Sequence, residues 1–152
     1  MAKKEQITMG TVSGLAVNLD FTVGTGGRND KADVMLIQAM FRYIGNIGFG
    51  ANPTRFLGFP SSEIPAITGI CDSKTQRAIL RFQQTNAKNL LSADGVIHPA
   101  SYHGRNLKPG LKRMMTITWL HFLGCELGIY HPEPYYIDGL IRIAPDLSQS
   151  LM

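Results

Sequence analysis

Two short turns flank one helix, and together they restrict what this chain can fold into. The first, Thr68-Gly69-Ile70-Cys71-Asp72-Ser73-Lys74-Thr75, runs into Ala78-Ile79-Leu80-Arg81-Phe82-Gln83. The second is Asp94-Gly95-Val96-Ile97-His98-Pro99. In each, a glycine permits the turn, an apolar residue anchors it to a core, and a polar residue or proline starts a helix. The intervening segment reads as a helix: Asp72 or Ser73 is the cap, and Gln76 stands three residues after Ser73 as in a capping box. Thr75, Ala78, Ile79 and Phe82 form its inner face, and it ends across Asn86 to Asn89. Pro99 suits the first position of a short third helix, closed by Lys108-Pro109-Gly110.

A further helix is expected upstream, from about Asp30 to Ile44. Asp30 is its N-cap, and Asp33 lies in the first turn, where a carboxylate favours the helix dipole. Val34, Ile37, Phe41 and Ile44, widened by Met40, make its apolar stripe, and Gly45 is placed to stop it. Before it, Leu15, Val17, Leu19, Phe21 and Val23 alternate with Ala16, Asn18, Asp20 and Thr22, the period of a half-buried strand. A shorter strand at Ile7 to Val12 would precede it across Ser13-Gly14. Residues 46 to 67 form a long loop with Phe49, Phe56 and Phe59, aromatics expected to pin the loop to the core rather than line a surface.

Beyond Leu111 the pattern is double. Met115, Ile117 and Trp119 alternate, whereas Ile117, Leu120 and Leu123 with Cys125 suit a helix to about Leu127, which length favours. Tyr135 to Ile143 carries two apolar runs joined by Asp138-Gly139, a hairpin signal, and such a hairpin would pair with the N-terminal strand or with another chain. The fold expected is mainly α. It is one domain over residues 1–152, with a strand extension at 1–23, a helical core at 24–108, and a helix plus β-hairpin at 111–152.

Composition limits the function classes. The chain has 152 residues, 44% hydrophobic and only 17% charged, enough apolar material for a core. The net charge of +4 would suit an anionic partner. The basic stretch Arg105, Lys108, Lys112 and Arg113, however, lacks the interleaved aromatics of a nucleic-acid platform, so no nucleic acid is expected. No run approaches the length of a membrane span, and no membrane association is expected. Residues 1–8 contain no apolar region of a secretory signal, which implies cytoplasmic synthesis and any delivery to the periplasm or wall by another route. Cys71 and Cys125 lie far apart without CxxC spacing and read as buried, reduced thiols.

Together these motifs resemble the peptidoglycan-binding-domain family, the small three-helix module attached to many cell-wall hydrolases. That family's pattern is a helix with Asp-Val and Leu/Val-Gln, then Asp-Gly-x-aromatic-Gly-Pro-x-Thr, Ala-x-x-x-Phe-Gln, and Asp-Gly-x-x-x-Pro. The chain matches it at Asp33-Val34, Ile37-Gln38, Gly69, Thr75, Ala78, Phe82-Gln83, Asp94-Gly95 and Pro99. Val23-Gly24-Thr25-Gly26-Gly27-Arg28-Asn29 is similar to the lead-in of a subgroup accompanying phage-type lysins and type VI secretion loci. The resemblance covers about residues 22 to 107. The chain departs from the pattern at Thr68, Cys71, Asp72 and Ser73, which stand where the family has Asp, an aromatic, Gly and Pro.

The resemblance implies a three-helix core and non-catalytic binding of cell-wall muropeptide, without a cofactor, in a phage-type or contractile secretion setting. Gln38, Tyr43, Gln83, Tyr102 and Arg105 are the candidate ligand contacts, because amides, phenols and a guanidinium suit the N-acetyl, amide and carboxylate groups of a muropeptide. The alternative is a structural or adaptor protein that docks a partner, or forms oligomers, through its terminal strands. Catalysis is not expected. His98, His103, His121 and His131 lack zinc spacing, and Cys71 with His98 or His103 matches a cysteine peptidase in ingredients only. Asp72, Asp94 and Glu126 sit at turn or helix positions rather than as a glycosidase pair. Gly24 to Gly27 lacks the Lys-Ser/Thr of a nucleotide loop.

Overall fold

The computed structural model describes residues 2–9, 12–47, 56–100, 106–107, 113–124 and 133–151. The chain is mainly helical with a small β element. Its elements are β1 (Lys3–Met9), β2 (Val12–Asn18), β3 (Val23–Gly24), α1 (Lys31–Ile47), α2 (Ser73–Thr85), β4 (Val96–Ile97), β5 (Asn106–Leu107), α3 (Thr116–Phe122), α4 (Glu133–Ile143) and α5 (Ser148–Leu151). One sheet has the order β2-β1-β5, the other pairs β3 with β4. Among the described residues no helix is long and apolar enough to cross a membrane.

β1 and β2 form an antiparallel hairpin in which Met9 opposes Val12. Ser13 and Gly14, expected as the turn, are instead paired with Thr8 and Ile7. The expected one-sided alternation also fails, since Ala16, Val17, Asn18 and Leu19 are all buried while Phe21 is exposed beneath Arg28, whose guanidinium lies 3.5 Å from the ring centroid. The reason is that β2 is covered as well as paired. Asn18 turns inward to bond the main chain of Ala100, donating to its carbonyl at 2.8 Å and accepting from its N–H at 2.9 Å. The outward N–H of Val17 meets Nδ1 of His121 on α3 at 3.5 Å.

α1 begins at Lys31, close to expectation, but runs on through Gly45 to Ile47. Val34, Ile37, Met40, Phe41 and Ile44 are fully buried along it. Asp33, expected to act on the helix dipole, directs its carboxylate to the N–H groups of Asp20 and Phe21 at 3.1 and 3.0 Å. Asp72, not Ser73, caps α2, accepting from the Thr75 N–H at 2.9 Å, and Gln76 reaches back to the Cys71 carbonyl. The loop aromatics do pin the loop. Phe59 is buried edge-on to Phe41, which meets Phe82 of α2 in the same way, and Leu57 and Ile64 are buried with it. Phe49 lies outside the described residues. Of the short helix expected at Pro99, residues 98–100 are not helical and 101–105 lie outside the described set.

α3 is buried almost all round, from Thr116 to His121. That explains its double pattern, because an element enclosed on every side shows neither period clearly. The largest departure is α4. Residues 133 to 143 are helical, so the hairpin expected across Asp138-Gly139 is not there, and the C-terminal segment adds helices rather than strands. Tyr136, Ile137, Leu140 and Ala144 are buried and Asp138 is exposed, a helical spacing. A two-residue hairpin turn of the Asp-Gly kind needs positive φ, which neither residue has. Gly139 serves another purpose: a Cβ there would lie 2.5 Å from Cε2 of Tyr43, so its absence lets α4 close onto α1.

Candidate functional site

Three of the five candidate contacts lie among the described residues, and all three are interior. Gln38 and Gln83 are fully buried and Tyr43 is buried; Tyr102 and Arg105 lie outside the described residues. Gln38, on α1, holds the first turn. Its Oε1 accepts from the N–H groups of Thr68 and Gly69, both at 2.9 Å. Its Nε2 donates to the Ile70 carbonyl and the Thr75 hydroxyl, both at 3.0 Å. Gln83, on α2, repeats this at the second turn. Its Oε1 accepts from Gly95 N–H at 2.7 Å, and its Nε2 donates to the Val96 carbonyl at 2.9 Å and the Thr116 hydroxyl at 3.1 Å.

The two motifs are thus one device used twice. A helical glutamine accepts from the N–H of a left-handed glycine (φ 77° at Gly69, 82° at Gly95), donates to the next carbonyl, and donates again to a threonine at the start of another helix. An amide has two donor hydrogens and a two-lone-pair acceptor. Both donors of each glutamine are spent internally, so neither side chain presents them to a ligand. Tyr43 is likewise interior, edge-on to Tyr136 at 4.8 Å and against Gly139. These three residues build the fold rather than line a surface.

Strand β3 passes between the two turns. The N–H of Gly24 donates to Oδ1 of Asn29 at 2.8 Å, on the side of the strand that faces the Cys71 thiol, and that of Thr25 donates to the Gly95 carbonyl at 3.2 Å. A Cβ on Gly24 would lie 2.1 Å from that carbonyl, so glycine is required. Burial pushes the half-buried Cys71 thiol up, with the Gly24 N–H acting the other way, and a raised thiol is the opposite of an activated nucleophile. Cys125 lies outside the described residues. His98 and Asp94 are exposed, 3.9 Å apart. Among the described residues no group of three or more His, Cys, Asp or Glu is placed to hold a metal ion.

The outer side of α2 offers a surface of another kind. Phe59, Glu63, Arg77, Ala78 and Arg81 line a cleft of about 360 Å³ between the 56–64 loop and the helix. The loop is drawn over the helix because Phe59 enters the core and because Asn86 donates to the Phe56 carbonyl at 2.8 Å. Arg77 and Arg81 stand one turn apart on the same helical face, where side chains are neighbours. Both are exposed, and among the described residues neither guanidinium is in an ion pair. Glu63 lines the cleft from the loop, and the buried Phe59 and Ala78 close its base. A second cavity, of about 410 Å³, lies between Lys31, Ala32 and Met35 of α1 and Pro145, Asp146, Ser148 and Gln149. It has no aromatic wall.

Neither Arg77 nor Arg81 was among the sequence candidates. Their signal is positional: two basic residues four apart, on the opposite side of a helix whose inner face is already assigned to Thr75, Ile79 and Phe82. Compared with protein-family models, with curated proteins and with solved structures, the chain gives no match.

Proposed function

We propose that this protein is a non-catalytic binding module for peptidoglycan fragments, and that the cleft between the 56–64 loop and α2 receives them. The observation that carries the reading is the pair of exposed guanidiniums, without an ionic partner among the described residues, on the wall of a cleft. They stand on the helix that bears the family-like Ala78, Phe82 and Gln83. Ligand sites combine apolar walls with a few orienting polar groups, and a cleft of this size is at the small end of that class. Arginine forks suit the carboxylates of a stem peptide. Delivery by a phage-type or contractile system is part of the proposal and rests on the motif resemblance alone.

Docking through terminal strands has less to rest on. The hairpin that suggested it is α4, β1 is the interior strand of its sheet, and the outer edge of β2 is met at Val17 by His121. The deciding experiment is a pull-down on purified sacculi. Retention clearly above that of an unrelated basic protein of similar isoelectric point is expected, and equal retention would overturn the proposal.

A further inference from the structure

The charges around the cleft are mixed, and the mixture narrows what fits. Two guanidiniums, Arg77 and Arg81, stand on the helix side, and one carboxylate, Glu63, on the loop side. A phosphate chain or polyanionic glycan would gain from the arginines but meet repulsion from Glu63. A simple amine would find Glu63 but leave two cations unanswered, and a neutral sugar could hydrogen-bond to all three but would answer none of their charges. The arrangement complements a group with a carboxylate and an ammonium close together on a short aliphatic stem.

From this, and resting on the muropeptide reading, we infer that the cleft takes the zwitterionic free end of a diamino-acid side chain in an uncrosslinked stem peptide, where ammonium and carboxylate share one carbon. The carboxylate sits in the fork of Arg77 and Arg81, the ammonium faces Glu63, and the methylene stem spans the cleft between them. Charge-assisted bonds from arginine to carboxylate are strong and directional, so they supply selectivity as well as affinity. Crosslinking would consume that ammonium and amidation would neutralise that carboxylate. The module would thereby favour uncrosslinked, unamidated wall.

The test is isothermal titration calorimetry of the full chain with three soluble muropeptides. One has a diaminopimelate residue with a free end, one has the same residue amidated at that end, and one has lysine, which supplies the ammonium without the carboxylate. The free diaminopimelate form is expected to bind tightest, with amidation or lysine weakening it by at least about tenfold, the usual cost of losing a charged hydrogen bond. Arg77→Gln with Arg81→Gln should erase the preference. Glu63→Gln should weaken the free diaminopimelate and lysine forms alike. Thermal unfolding checks that each variant folds. Equal affinity for all three peptides, or a preference that survives in the double arginine variant, overturns the inference. Retention on sacculi without binding of any of the three peptides also overturns it, while leaving the wall-binding proposal intact. No retention and no peptide binding removes both.

Discussion

The inner and outer faces of α2 both carry polar side chains, and they do opposite things. On the inner face Gln83 spends its amide on Gly95, Val96 and Thr116 and is fully buried. On the outer face Arg77 and Arg81 are exposed, and among the described residues they have no ionic partner. A polar residue beside a core is therefore not a ligand contact because it is polar. What matters is whether its bonding capacity is already used. By that criterion the glutamines of the two turns are structural, and the arginines are the groups free to recognise something.

The contrast can be broken at its strongest point by removing a clamp. Gln83→Leu leaves the Gly95 N–H, the Val96 carbonyl and the Thr116 hydroxyl without this partner, and Gln38→Leu does the same around Thr68, Gly69, Ile70 and Thr75. Two of the groups in each set are buried (at Gly95 and Thr116, and at Gly69 and Thr75), so at 1–3 kcal/mol per orphaned buried group each variant should lose about 3 kcal/mol in urea unfolding. A loss below about 1 kcal/mol would mean that the clamps are not what holds the turns. Next in size is Gly139→Ala, which drives a Cβ into the buried Tyr43 ring and should cost about 2 kcal/mol by overpacking.

The cap of α2 gives a smaller effect and a pH signature. Asp72→Ala should cost about 1 kcal/mol. The hydroxyl and N–H of Thr75 hold the Asp72 carboxyl below its usual value of 3.8. Its stabilisation is therefore complete above that value and is lost as pH falls through the lower, folded-state value. Asp33 works in the opposite sense. Burial raises its carboxyl despite the N–H groups of Asp20 and Phe21, so the folded state holds the proton more tightly. Its contribution to stability grows as pH falls from the raised value towards 3.8. Unfolding followed against pH should show the acid-side loss flattened in Asp72→Asn and steepened in Asp33→Asn. The smallest stability change belongs to the outer face, where Arg77→Gln with Arg81→Gln should stay within about 0.5 kcal/mol of wild type while losing retention on sacculi.

Much of the interior is legible in the sequence because its signals are local. A cap at Asp72 or Ser73, the inner face of Thr75, Ala78, Ile79 and Phe82, and the stripe of α1 all come from period and capping chemistry, and the choice of Asp72 comes from the structure. α4 is not legible, because Tyr135 to Ile143 contains a genuine hairpin signal that tertiary packing overrides. Gly139 is there for Tyr43 to pack against, a contact almost a hundred positions away in the chain. The length of β1 is hidden because Lys3, Lys4 and Glu5 look like a solvated end, whereas register with β2 extends the strand through them. Gln38 and Gln83 stand out in the sequence but suggest the wrong role, because a sequence displays an amide and not the backbone groups that will saturate it. Arg77 and Arg81 emerge only when the helical wheel of α2 is completed on its outer side.

The central claim is that recognition occurs at the outer face of α2 and not at the glutamine-held turns. Amide chemical-shift mapping of the labelled protein, titrated with a soluble diaminopimelate-type muropeptide, tests it most directly. The account predicts shifts concentrated in residues 59–63 and 77–81, with the 68–70 and 94–96 turns unmoved. Shifts centred on those turns, or none anywhere at saturating peptide, would contradict it.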